Sequence, residues 1–227
     1  MSWKKEISQI KLREKLAKQQ GGSEAVKVQH DKGRLTLRER IDLLLDKDSF
    51  DEIGKVAGGA EYDDEGNLLS LTPANFILGF GKIEGQDVIV GGEDFTVKGG
   101  SPNAAGLRKS VYTEDLAVKH KFPLVRLHEG GGGSVAGPSK EKKGYGGDPV
   151  FARSRFKSVA QTLKEVPVVS AALGPVAGLP ASRFVGSHFR IMVKDNAQIL
   201  VAGPAVVSRA FGLSLIHISE PTRPTDI

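Results

Sequence analysis

The N-terminal stretch of the chain has a helical pattern of apolar positions. Trp3, Ile7 and Ile10 recur at spacings of three and four, and lysine-rich positions occupy the other faces. This spacing predicts an amphipathic helix over residues 3–20. The glycines of the following segment, Gly21–Ser23, predict the end of that helix.

The next two patterns predict a short helix and a β-hairpin. A helix is expected over Leu37–Leu45, with Thr36 as its N-cap and Glu39 completing a capping box. Two apolar runs that contain glycines, 77–83 and 87–92, flank a short turn. They are typical of a hairpin whose glycines mark bulges or a close approach of two backbones.

From residue 94 onward, short apolar runs alternate with helical patterns. The predicted strands are 95–97, 124–127, 166–173, 189–193 and 197–201, and the predicted helices are 104–121, 150–165, one from about 181, and 204–211. Strands that alternate with crossover helices indicate an α/β protein.

Composition excludes several classes of protein. The chain has 227 residues, of which 39% are hydrophobic and 26% charged, as in ordinary globular domains. It contains no cysteine, which excludes a disulfide framework and a thiolate metal site. The histidines are scattered, so we expect no metal site. No apolar run in the sequence reaches the length that spans a membrane.

The net charge of +5 is concentrated at the N-terminus, where residues 1–20 contain six bases and two acids. Bases on a terminal helix favour a solvated helix face over a nucleic-acid interface. We therefore expect neither nucleic acid nor a membrane as a partner. A cytoplasmic location is expected rather than the mitochondrial matrix, because this helix carries acids, which mitochondrial presequences avoid.

Glycine is unusually frequent, with 28 residues. Two apolar strands run directly into glycines, at 130–133 and at 174–178. Glycine lets a main-chain N–H approach a ligand closely, and such amides can form an oxyanion hole for the enolate of a thioester. Two tight turns without chemistry would produce the same pattern. The spacing does not match a phosphate loop, a dinucleotide fingerprint or a nucleophile elbow.

Three segments carry a resemblance to a known family. They are Gly33–Asp46 (GRLTLRERIDLLLD), Asp94–Ser101 (DFTVKGGS) and Met192–Asp195 (MVKD), the last followed by Gly203-Pro204. In order and spacing they closely resemble the carboxyltransferase subunits of biotin-dependent acyl-CoA carboxylases. The resemblance covers roughly residues 1–212. It implies that residues 33–212 form the N-terminal crotonase-like domain of such a subunit, and that residues 1–32 form a basic helix and linker before it.

The resemblance implies an α/β fold of the crotonase (ClpP/crotonase) type, with stacked sheets, crossover helices and a helical segment in front. It also implies transfer of a carboxyl group from carboxybiotin to the α-carbon of a short acyl-CoA, whose enolate is held by backbone amides. Biotin would be carried by a partner, a biotin carboxylase or biotin carrier subunit, and the full-length protein would form a homo-oligomer. Because a second crotonase-like domain completes the site in the family, we expect this chain alone to be inactive.

The resemblance also implies candidate site residues. These are Gly131 and Gly132, whose amides would hold the thioester oxyanion, and Gly99, Gly100, Ala177 and Gly178, which would shape the coenzyme A channel. The chain departs from the family pattern nearby, at Ser134 beside the first glycines, at Leu179, and at Pro180, which removes an N–H. Because these departures lie where the acyl group should sit, no particular acyl group is predicted.

Other functions remain open at this point. A biotin-dependent decarboxylase or transcarboxylase would use the same residues. A stand-alone crotonase-like enzyme would act on an acyl- or enoyl-CoA without biotin, with Glu129 as its candidate for acid–base chemistry. A catalytically lapsed scaffold subunit would account for the departures from the family pattern.

The resemblance stops after Gly212. Residues 213–223 read LSLIHISEPTR, the translation of a common transposase adapter from sequencing libraries. We therefore expect residues 213–227 to be a translated artefact, and the natural reading frame to continue beyond Gly212.

Overall fold

A computed structural model of the chain describes residues 3–132 and 155–202. Its helices are α1 (Lys4–Ala17), α2 (Ser23–Asp31), α3 (Leu37–Leu44), α4 (Ala104–His120), α5 (Arg155–Glu165) and α6 (Leu179–Val185). Its strands are β1 (Asp51–Glu52), β2 (Gly58–Tyr62), β3 (Leu68–Pro73), β4 (Phe76–Ile83), β5 (Gln86–Glu93), β6 (Leu124–Gly130), β7 (Val168–Ala177), β8 (Phe189–Met192) and β9 (Gln198–Leu200). The predicted helix 204–211 and the tail after Gly212 lie outside the described residues.

Seven of these strands form one mixed sheet, in the order β1-β4-β5-β6-β7-β8, with β9 pairing β7. The pairs β1–β4 and β4–β5 are antiparallel, whereas β5, β6, β7, β8 and β9 are joined by parallel pairs. The strands β2 and β3 form a separate two-stranded sheet. Parallel neighbours require crossovers, which α4 and α5 supply. The predicted α/β class is therefore confirmed.

The two faces of the large sheet are covered by different helices. Successive side chains of a strand point to opposite faces, and β5 shows this directly. Val88 and Val90 belong to the apolar cluster that contains Leu37 and Ile41 of α3. Ile89, between the two valines, belongs to the cluster on the other face, which contains Leu116 of α4. The sheet is thus enclosed between α3 and α4.

Locally encoded elements agree with the sequence. The Thr36 side chain accepts a hydrogen bond from the Glu39 N–H, and the Glu39 side chain accepts one from the Thr36 N–H, so the capping box is present. The predicted hairpin is β4–β5, in register from Phe76 opposite Glu93 to Ile83 opposite Gln86. Its two turn residues both have positive φ, as a tight two-residue turn requires.

Two predictions for the first half of the chain are wrong. The segment after residue 22 was expected to be a linker, but it forms α2. A nine-residue helix is marginal on its own, and here the buried side chain of Gln29 anchors it in the protein. Residues 95–97 are not a strand, because the Asp94 carboxylate accepts hydrogen bonds from the N–H and hydroxyl of Thr96 and closes a turn.

The strand β7 is longer than predicted. It was expected to end at Gly174-Pro175, but it continues to Ala177. The missing N–H of Pro175 costs the strand little here, because β7 changes partner at this point. Residues 169–172 pair with β8, and Pro175–Ala177 pair with β9. The second glycine turn therefore begins at Gly178.

Within residues 3–132 and 155–202, no helix is both long and apolar enough to cross a membrane.

Candidate functional site

The six candidate site residues lie together in the structure. They come from the turn after β5, from the end of β6 and from the end of β7, and we call them the glycine cluster: Gly99, Gly100, Gly131, Gly132, Ala177 and Gly178. The N–H of Gly131 donates a hydrogen bond to the Gly99 carbonyl oxygen at 2.9 Å. The strands β6 and β7 pair along their length, and at their carboxyl ends Gly130 lies opposite Val176. Three segments that are distant in sequence thus converge at the carboxyl ends of two parallel strands.

Two positions of the glycine cluster require glycine. Gly100 has a φ of +69°, and a Cβ there would lie 2.7 Å from the Gly130 Cα. Gly132 has a φ of +73°, and a Cβ there would lie 2.9 Å from the Ala177 carbonyl oxygen. A real Cβ does not approach backbone atoms so closely, and positive φ is itself unfavourable for residues with a side chain. The glycines therefore allow three stretches of backbone to touch.

The main-chain donors of the glycine cluster differ in how they are used. The Gly131 N–H is bound to Gly99, and the Gly100 N–H donates to the Val97 carbonyl oxygen at 3.1 Å. The Gly178 N–H points to the carbonyl oxygens of Leu200 and Val201 at 3.3 and 3.2 Å. Among the described residues, the Gly132 N–H has no hydrogen-bond acceptor. A ligand could use this donor without breaking a bond to this part of the chain, and the same holds for the Gly99 N–H, which also has no acceptor among the described residues.

Glu129, directly before these glycines, is fully buried and bound on both carboxylate oxygens. Its Oε2 accepts a hydrogen bond from Gln29 Nε2 at 2.8 Å and forms an ion pair with Arg40 Nη2 at 2.5 Å. Its Oε1 accepts from Arg34 Nη1 at 3.3 Å. We call these four side chains the glutamate clamp. A fully buried carboxylate with both oxygens bound to other side chains is a poor candidate for the base of a stand-alone crotonase-like enzyme, because substrate cannot reach it.

A second buried carboxylate ties α6 to α4 and β6. Glu114 Oε1 accepts from Arg126 at 2.5 Å and from Arg183 at 2.8 Å, and Arg183 also donates to the Ser110 hydroxyl at 3.0 Å. Burial lowers the pKa of Arg126 to about 10, although Glu114 opposes the shift. This network holds the helix that begins directly after Gly178.

A buried histidine, His128, lies on β6 two residues before Gly130. His128 Nδ1 is 3.0 Å from Glu93 Oε2, and its Nε2 is 3.5 Å from the Ser170 hydroxyl. Burial would raise the pKa of Glu93, but the His128 charge and hydrogen bond, together with the charge of Arg183, lower it overall. The order of acid, histidine and serine is that of a hydrolase triad. Ser170, however, is fully buried and bonded to Ser187 at 2.6 Å, so substrate cannot reach it.

These buried groups were not predicted from the sequence. His128 was included only among the scattered histidines, and Glu93 and Glu114 were not singled out. The partners of each group lie far away in the chain, so no local spacing could reveal them. Among the described residues, no group of three or more potential ligands could hold a metal ion.

A groove of about 320 Å³ lies beside the segment that precedes Gly99. Its walls are the α1–α2 turn, the end of β3 and the segment 96–98. Lys98, at its rim, is exposed and has a φ of +53°, which is uncommon for a residue with a side chain. Lys98 directly precedes Gly99 in the chain, although no residue of the glycine cluster itself lines the groove.

Comparison with known proteins places this geometry in a family. The model of the carboxyl transferase domain matches residues 28–220. The propionyl-CoA carboxylase beta chain of Roseobacter denitrificans is 34% identical over 203 residues, which are 88% of this chain and 38% of that protein. The methylmalonyl-CoA decarboxylase subunit alpha of Veillonella parvula is 32% identical, with the same coverage.

Among solved structures, the transcarboxylase 12S hexamer crystallised with methylmalonyl-coenzyme A has a TM-score of 0.71 and 25% identity. The match covers 94% of this chain and 40% of that one. The chain thus spans about two fifths of the length of these relatives. The match to the family model continues past Gly212, so the boundary there stays a prediction. With most of its length matched by the family model and its glycine turns assembled at the strand ends, the chain belongs to the carboxyl transferase domain family.

Proposed function

We propose that this chain is the acyl-CoA-binding half of a carboxyltransferase, which moves a carboxyl group to the α-carbon of a short acyl-CoA. The observation that carries the proposal is the convergence of three glycine-rich segments on one point, with the Gly132 N–H free of any acceptor among the described residues. Family membership supports the reaction class. The names of two relatives, propionyl-CoA carboxylase and methylmalonyl-CoA decarboxylase, support a short acyl thioester as substrate.

In this proposal the chain binds and orients the thioester and supplies no side chain as a base. The Gly132 N–H donates to the thioester oxygen, and the negative charge that develops there strengthens the hydrogen bond as the α-proton passes to an acceptor on the biotin side of the site, outside this chain. The Gly131 N–H becomes a second donor when its bond to Gly99 opens or is shared. Holding the thioester in one orientation also lowers the activation barrier, since a fixed geometry replaces a bimolecular encounter.

The groove at Lys98 is the proposed path of the coenzyme A moiety. Its volume of about 320 Å³ accommodates part of such a ligand. The exposed ammonium of Lys98 is a suitable partner for a phosphate. Gly99 and Gly100 line the approach to the thioester, and Ala177 and Gly178 close the other side.

Biotin, when carried by a partner subunit, supplies the carboxyl group. The described residues include none that we assign to biotin, and the resemblance locates that side of the site in a second crotonase-like domain. We propose a biotin carrier as the partner, and a homo-oligomer for the full-length protein, since the related transcarboxylase 12S assembles as a hexamer. A cytoplasmic location remains part of the proposal.

The test is a titration of the purified chain with propionyl-CoA, with coenzyme A and with biotin. Propionyl-CoA is expected to bind, free biotin is not, and no carboxyl transfer from carboxybiotin is expected from this chain alone. Lys98→Ala should weaken propionyl-CoA binding, whereas Lys119→Ala, on the exposed side of α4, should not. Absence of propionyl-CoA binding to the unaltered chain would overturn the proposed role of this half.

A decarboxylase is the second candidate, because the Veillonella parvula relative carries that name. It would use the same glycine cluster on a carboxylated acyl-CoA. The two directions are separated by assaying full-length protein with its biotin-carrying partner, once with propionyl-CoA and once with methylmalonyl-CoA.

A further inference from the structure

The glutamate clamp links the N-terminal helices to the site. The three described partners of the Glu129 carboxylate come from residues 29–40: Gln29 from α2, Arg34 from the turn after it, and Arg40 from α3. Because Glu129 is fully buried, its charge depends on these donors for compensation. The three residues after Glu129 are the glycines 130–132.

The opposite side of the Glu129 carboxylate lies against bare backbone. A Cβ added at Gly174 of β7 would lie 2.4 Å from Glu129 Oε1 and 2.5 Å from its Cδ. The side chain is therefore confined between β7 and the N-terminal donors. Its own backbone leads into the glycine cluster through Gly131, whose N–H is bound to Gly99.

We infer that Glu129 is a positioning residue: the donors of residues 29–40 hold its carboxylate, and this holds the backbone of Gly130–Gly132 in its binding orientation. Glu129 touches no substrate. Glycines have no side chains to pack, so a turn made of them needs an anchor beside it. In this way residues 29–40 influence the glycine cluster through the Glu129 carboxylate.

Another buried ion pair of the chain, between Arg38 and Glu52, provides a matched control. Arg38, also on α3, donates to both oxygens of Glu52 in β1, at 2.8 and 3.2 Å. The Glu52 side chain is only 7% exposed. This pair joins the same helix to the same sheet but lies at β1, away from the glycine cluster. Glu52→Gln and Arg38→Lys therefore match Glu129→Gln and Arg40→Lys.

The first measurement is hydrogen exchange of the backbone amides of residues 130–132 in the 227-residue chain, at a temperature well below the melting point of each variant. Both glutamine variants are expected to lower the melting temperature. Only Glu129→Gln should speed exchange at these amides selectively, including the Gly131 amide bound to Gly99. If Glu129→Gln does not fold, Arg40→Lys against Arg38→Lys makes the same comparison. Equal exchange in the two matched variants would overturn the inference.

The second measurement, propionyl-CoA affinity, rests on the proposed function. Glu129→Gln should weaken binding by about tenfold or more, because a displaced glycine turn misplaces its donors. Glu52→Gln should leave binding unchanged. If the unaltered chain binds no propionyl-CoA, the proposed function fails and the exchange data alone decide the positioning role. If Glu129→Gln binds as tightly as the unaltered chain, the positioning role is refuted even though the proposed function survives.

Discussion

The main-chain N–H of Gly131 donates a hydrogen bond of 2.9 Å to the carbonyl oxygen of Gly99. The bond joins two residues for which the sequence suggested different roles, one as an oxyanion donor and one as part of the coenzyme A channel. It shows that the two glycine segments form a single structure. It also distinguishes the two proposed oxyanion donors. The Gly132 N–H has no acceptor among the described residues, whereas the Gly131 N–H must first share or lose its bond to Gly99.

Gly132→Ala should weaken propionyl-CoA binding and destabilise the chain. A Cβ at Gly132 would meet the Ala177 oxygen at 2.9 Å, and the residue has positive φ. Gly66→Ala is the control, because Gly66 also has positive φ but has no atom within 4 Å of its added Cβ. The control should cost about 1–2 kcal/mol in unfolding free energy and leave binding intact. Calorimetric titration and urea unfolding check both effects. Normal binding by Gly132→Ala would argue against its amide as the donor.

Gly174→Ala should destabilise the protein strongly. The new Cβ would lie 2.4 Å from the buried Glu129 carboxylate, which cannot move without leaving its arginine partners. Gly59→Ala on β2, where no atom lies within 4 Å, is the control and should be nearly neutral. Urea unfolding of both variants makes the comparison. Equal stability of the two variants would show that the glutamate clamp can rearrange around the new Cβ at little cost in free energy.

Lys109→Met should change how stability depends on pH. Burial lowers the pKa of Lys109 from 10.5 to about 8, although Glu52 opposes the shift. Between these values the unfolded chain binds a proton that the folded chain lacks, so stability rises with pH over this window. Below about pH 8 the lysine is charged in both the folded and the unfolded chain. Burial of this charge then lowers the free energy of unfolding by about 3 kcal/mol.

The methionine variant should therefore be the more stable form at pH 7, and its advantage should shrink toward pH 10.5. Urea unfolding at several pH values measures this, with the exposed Lys119→Met as the control for loss of a charge on the same helix. A constant difference across the window would contradict the assignment.

Glu114→Ala should cost about 3–5 kcal/mol, because it removes the carboxylate that binds the buried guanidinium groups of Arg126 and Arg183. Asp87→Asn breaks the exposed pair with Lys82 and should cost no more than about 1 kcal/mol. Thermal unfolding distinguishes the two. A small loss in Glu114→Ala would mean that solvent reaches the arginines.

Sequencing the source DNA across the codon for Gly212 tests the predicted artefact at residues 213–227. The reading frame is expected to continue into a second glycine-rich α/β domain. A genuine stop after Ile227 would instead favour the lapsed scaffold and the stand-alone crotonase-like enzyme.

Features that depend on near neighbours were readable in the sequence. The capping box of Thr36 and Glu39, the β4–β5 hairpin and α4 each arise from residues a few positions apart, so spacing alone predicts them. The glycine turns at the ends of β6 and β7 were also visible, since an apolar strand running into glycines is a local pattern.

Only the tertiary structure decided which groups meet. Glu129 looked like a candidate base in the sequence, but the fold pairs its carboxylate with two arginines, Arg34 from the turn after α2 and Arg40 from α3. His128 and Glu93 lie on neighbouring parts of the sheet because β5 and β6 run side by side. The sequence by itself determined most of the local elements and the positions at which glycines leave the backbone without side chains. The pairing of buried charges was decided by the folded sheet, because such contacts depend on strand order and register, which no local pattern encodes.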